Sequence, residues 1–124
     1  MSLSKDLIGG GFSAGQAHAL GGNYNAITAT GSAQTDAATL SASNCVVAGA
    51  DGTKGVILSG DVGDSVLVFN NSASTLKVYP NVGAAIAVAG TGLGTANAAF
   101  SQLTYKTTQY KKITTTQWLA ITTA

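Results

Sequence analysis

The sequence predicts a mainly β domain, an antiparallel β-sandwich or barrel with a short N-terminal helix or arm. Three observations lead there. Short β-prone segments recur about every ten residues, separated by turns rich in Gly, Asn and Asp, the pattern of sandwiches and barrels. Gly, Ala, Ser and Thr fill 64 of the 124 positions, so the chain is built from small side chains and tight turns. It also holds no Arg, no Glu, one His, one Cys and one Pro. Catalysis usually draws on carboxylates, imidazoles and thiols, so this composition favours a structural or binding module over an enzyme.

Residues 1–25 read as a glycine-rich arm and residues 26–124 as the β domain. In the arm, Gly9, Gly10 and Gly11 precede the segment 13–20, and Gly21 and Gly22 follow it. Ser13 with Gln16 three positions on makes a capping box, Phe12 and Ala17 occupy the staple positions, and Gly21 suits a left-handed C-terminal cap. The spacing predicts a helix of about two turns. A helix that short is unstable alone in water, so the segment must dock on something.

Strands are predicted at 27–30, 44–48, 55–59, 65–70, 75–79, 85–89, 99–104, 109–114 and 117–122. Asp51-Gly52, the run 60–63, Asn70-Asn71-Ser72, Asn81-Val82-Gly83 and Gly90-Thr91-Gly92 are the turns between several of them. The run Val66-Leu67-Val68-Phe69 is continuously apolar, which predicts a central strand covered on both faces. Leu76 and Val78 alternate with Lys77 and Tyr79, and Pro80 ends that strand because it cannot donate to a ladder. Ile86 and Val88 sit between alanines, leaving room for another layer. Trp118 shares a face with Ala120, and Leu119 shares the other with Ile121. Val68, Phe69, Val78, Trp118 and Leu119 are the expected core.

Charged residues make up 9% of the chain, against about 25% in ordinary soluble domains. The formal net charge is +1. Such a surface is poorly protected against association, which predicts burial against other subunits. All five carboxylates lie in the first 64 residues and four of the six lysines follow them, an asymmetry that offers opposite ends for neighbouring copies. No nucleic-acid or membrane partner is expected. No stretch reaches transmembrane length and no signal-peptide core opens the chain, which predicts synthesis in the cytoplasm.

The residues that carry chemistry are few. Asp61 and Asp64, with Asp51 in another turn, are the nearest approach to a carboxylate cluster, but Asp is also a favoured turn residue. No metal or cofactor is predicted. Gly90 to Gly94 lacks the spacing of a dinucleotide or phosphate loop. Cys45 sits in an apolar run as a small hydrophobe, and His18 falls on the short helix. Tyr105, Lys106, Tyr110, Lys111 and Lys112 mix rings and ammonium groups as single-strand binders do, yet without arginine they read as an exposed strand face. Tyr24, Tyr79 and Trp118 offer a possible sugar platform.

The order of motifs resembles a known family. A short Leu-Ile-Gly-Gly-Gly-Phe-Ser-Ala-Gly-Gln-Ala-His-Ala-Leu-Gly-Gly segment is followed by Ala-Thr-Gly-Ser-Ala-Gln-Thr-Asp-Ala-Ala-Thr-Leu. Then come Gly55-Val56-Ile57-Leu58, Val68-Phe69-Asn70-Asn71, Leu76-Lys77-Val78-Tyr79-Pro80 and a closing Gln117-Trp118. This is similar to small structural proteins encoded near the capsid genes of tailed bacteriophages, head decoration, cement or head-fibre proteins among them. The resemblance implies a virion component on the capsid surface, a homotrimer that binds the major capsid protein. On that reading Leu7, Ile8, Phe12 and Leu20 are the capsid-binding contacts of the arm, and the chain is made in the host bacterial cytoplasm. The rival reading is a virion knob or tail-tip module that recognises host glycans.

Overall fold

A computed structural model describes residues 24–88 and 92–122. Among these, ten strands form two sheets. They are β1 (Tyr24–Thr28), β2 (Ala38–Thr39), β3 (Asn44–Ala48), β4 (Gly55–Ile57), β5 (Ser65–Asn70), β6 (Leu76–Tyr79), β7 (Ala85–Val88), β8 (Phe100–Gln102), β9 (Thr107–Thr114) and β10 (Gln117–Thr122). The large sheet has the order β1-β3-β5-β9-β10-β7 and the small one β2-β4-β6-β8. They pack face to face, so the mainly β sandwich expected from the sequence is the architecture found. The expected N-terminal helix lies outside the described residues.

The sheets are mixed where antiparallel ones were expected, and the chain path explains why. The first six strands alternate between the sheets, so each return to a sheet arrives running in the same direction. β1–β3–β5 and β2–β4–β6 are therefore parallel ladders. Tyr24 pairs with Asn44, and Asn44 with Leu67, so three coils of about twenty residues stack as in a β-solenoid. The antiparallel pairs come afterwards. β9 runs back along β5, β10 folds onto β9, and β8 lies antiparallel on β6. β7 joins the far side of β10 in parallel.

The coils come close because small residues stand at their contacts. Gly55 opens β4 where a Cβ would lie 2.5 Å from the Lys77 carbonyl and 2.9 Å from the Tyr79 ring, so any larger residue would push β4 off β6. On the far edge, residues 92–97 run along β7. Gly92 bridges Val88, and the Asn97 amide donates to the Ala84 carbonyl. That segment shields the β7 edge, which would otherwise be open to pairing with another chain.

The core lies between the sheets. Val47, Val68, Tyr110, Trp118 and Ala120 come down from the large sheet to meet Val56, Leu76 and Val78 of the small one, with Leu40 and Leu58 beside them. Each fully buried aliphatic side chain contributes about 1.5–3 kcal/mol. Of the five expected core residues, Val68, Val78 and Trp118 are fully buried, whereas Phe69 and Leu119 are only half-buried. Both of these point out of the other side of the large sheet.

Candidate interaction surface

Strand alternation decides what the large sheet shows to the outside. On β5, Val66, Val68 and Asn70 point to the core, so Leu67 and Phe69 point away. The register carries this across the sheet. Leu67 lies between Asn44 and Gln109, and Gln109 faces Ile121. Phe69 lies between Val46 and Thr107. Lys111 lies between Ser65 and Leu119, and Leu119 faces Ala87. Leu67, Ile113 and Ile121 are 41%, 44% and 51% exposed, while Val46, Phe69 and Leu119 are half-buried. Lys111 is the one charged residue among the outward positions of the large sheet's described strands.

Among the described residues the apolar run 66–69 is therefore covered on one side only. β5 is a central strand, third of six, as its composition predicts. A strand apolar on both faces needs two neighbouring layers, and the described residues supply only the inner one.

Behind this surface a buried polar network holds the sheets in register. Tyr110 donates its hydroxyl to Gln102 Oε1 at 2.8 Å, and Gln102 Nε2 donates to the carbonyls of Val68 and Lys106, both at 2.8 Å. Asn70 Nδ2 donates to the carbonyls of Ser74, Gln102 and Leu103. Burial pushes the Tyr110 phenol well above its ordinary value. Lys112 also points inward. Its ammonium donates to the Gly60 carbonyl at 2.9 Å and sits 5.6 Å from the centroid of the Trp118 ring, an attractive cation–π geometry. Sequence reasoning missed this network, although the alternation of Phe100 and Gln102 puts both on one face and was a signal for it.

The other residues singled out in the sequence are dispersed. Asp64 accepts the Asp61 amide at 2.9 Å, and Asp51 Oδ1 accepts the Thr53 hydroxyl, the Thr53 amide and the Lys54 amide. These are turn contacts, and no group of three metal-donor side chains occurs among the described residues. The Thr53 hydroxyl, helped by the two amides, lowers the Asp51 carboxyl to about 2. Cys45 is buried, its thiol is pushed up by burial, and it donates to the Ala42 carbonyl.

The aromatic and basic group does not share a face. Tyr110 and Lys112 are buried, Lys111 points outward, and Tyr105 stands on a corner. The sugar platform does not form either, because Trp118 is fully buried and donates Nε1 to Asn81 Oδ1 at 2.8 Å. The fold does bring one of the late lysines beside the early aspartates: the Lys112 amide donates to the Asp64 carbonyl and the Gly63 amide to the Lys112 carbonyl. The arm residues Leu7, Ile8, Phe12 and Leu20, with His18, lie outside the described residues.

No family model, no curated protein and no solved structure matches the chain. The class that fold and surface define is a two-sheet β domain with a largely apolar outer face that the described residues leave uncovered.

Proposed function

We propose that the chain is a structural component of a tailed-phage virion, a capsid decoration or cement protein that binds the major capsid protein as a homotrimer. Its mechanism is binding without chemistry. A trimer seated over a junction between capsid subunits adds buried surface that resists internal pressure. Residues 3–23, which end where β1 begins at Tyr24, form the arm that reaches the capsid, with Leu7, Ile8, Phe12 and Leu20 as its apolar contacts, and the β domain makes the trimer.

The observation that carries this reading is the outer face of the large sheet, apolar and almost free of charge. The order of sequence motifs supports it, as does a chain with few groups suited to catalysis. Glycan recognition is the weaker alternative, since its aromatic platform loses Trp118 to the core. The test is electron microscopy of capsids assembled without this protein, before and after adding it. Added density over subunit junctions is the expected result; bare capsids at saturating protein overturn the reading.

A further inference from the structure

We infer that the outer face of the large sheet is where copies of this chain meet. The inference rests on the homotrimer reading above and names the surface that reading leaves open.

Four features of the face point to a second copy as its occupant. First, β5 is apolar on both sides, a composition suited to a strand covered twice. Its inner side is filled by the small sheet, while Leu67 and Phe69 stand on the outer side without a layer among the described residues. Second, the size fits. Six strands about 4.8 Å apart, five to six residues long at about 3.3 Å each, cover about 500 Å² in projection. Side chains standing off the sheet add accessible area to that footprint, and a specific interface takes about 800 Å² from each partner.

Third, the charge pattern suits self-association. Contact between identical copies brings like charges near one another around the axis, so a self-contacting face must be poor in them. Lys111 is the sole charge here, and its long stem lets the ammonium reach water at a rim. A foreign partner would be recognised by charge complementarity, for which this face offers almost nothing. Fourth, the β7 edge is shielded by residues 92–97, so at that end association proceeds through the face.

The experiment compares the mass of the full chain in solution with that of two face variants and one control. Leu67→Lys with Ile121→Lys adds two charges beside Lys111. Leu67→Thr with Ile121→Thr keeps β propensity and removes only apolar area. Val82→Lys, on an exposed loop tip, is the control. Sedimentation at micromolar concentration should give a multimer for the full chain and the control, and a single-chain mass for the lysine pair. The threonine pair should dissociate at a concentration at least about tenfold higher. Circular dichroism confirms that each variant is folded, and the threonine pair decides the matter should the lysine pair unfold. Face variants that keep the parental mass, or a parent chain that is monomeric, overturn the inference. Capsid binding is read in parallel. A multimer that dissociates as described but leaves capsids bare sinks the decoration reading alone, and a monomer that decorates capsids sinks this inference and the homotrimer with it but leaves capsid binding standing.

Discussion

Replacing Gln102 by Leu tests whether the buried network behind the large sheet holds the fold together. Gln102 is fully buried. The substitution removes the acceptor of the Tyr110 hydroxyl and takes one donor each from the Val68 and Lys106 carbonyls, of which Lys106 keeps the Asn70 amide. Each buried polar group left unsatisfied costs about 1–3 kcal/mol, and the added apolar contact of Leu returns part of that. The net expectation is a loss of about 2 kcal/mol. Tyr110→Phe strands only Gln102 Oε1 and should cost about 1–2 kcal/mol. In the double variant the hydroxyl and its acceptor are gone together. Its cost should fall short of the sum of the two single costs by about 1–2 kcal/mol, within the range for side chains in direct contact. Urea unfolding followed by fluorescence reads this directly, because Trp118 is the single tryptophan and is fully buried. Additivity within about 0.5 kcal/mol would refute the reasoning, as would a Gln102→Leu cost below about 1 kcal/mol.

Trp118→Ala should cost about 3–5 kcal/mol, as for a fully buried ring, whereas Phe69→Ala on the outer face should cost about 1–2 kcal/mol in the isolated subunit; equal losses in denaturant titration would place Phe69 in the core. The Asp51 carboxyl should titrate near 2 by NMR instead of at its ordinary 3.8, and Thr53→Ala should move it upward. Because the folded value is the lower one, the stability linked to Asp51 is present above pH 3.8 and is lost as pH falls toward 2. At the alkaline end, unfolding lets Tyr110 ionise at its ordinary value of 10.0, while the folded phenol keeps its proton well beyond that. The unfolded chain then binds fewer protons, so stability falls as pH rises above 10, and Tyr110→Phe should flatten that fall in denaturant midpoints measured from pH 9 to 11.

Much of the strand layout was legible because alternation and turn chemistry are local. Residues 44–48, 65–70 and 117–122 were expected as strands and are β3, β5 and β10 without change. β2 escaped notice because two residues, Ala38 and Thr39, carry no period. The mixing of parallel with antiparallel pairs was not legible either. It follows from alternate crossing between sheets, and the three coils share no repeated motif that would announce it. The candidate surface was half legible. The run 66–69 announces a need for cover on two sides, but one sequence does not say which side its own chain fills. Phe69 and Leu119 were assigned to the core for that reason, and the structure turns them outward.

The central claim is that this chain attaches to a capsid through its N-terminal arm while its β domain folds and associates independently. The most direct measurement is co-sedimentation of the full chain, and of a chain lacking residues 1–23 and so keeping all of β1, with capsids assembled from the major capsid protein alone. The full chain should pellet with the capsids to saturation. The shortened chain should stay in the supernatant with unchanged circular dichroism and unchanged oligomer mass. A shortened chain that pellets with the same affinity places attachment on the β domain, one that unfolds makes the arm part of the core, and a full chain that never pellets contradicts the capsid reading itself.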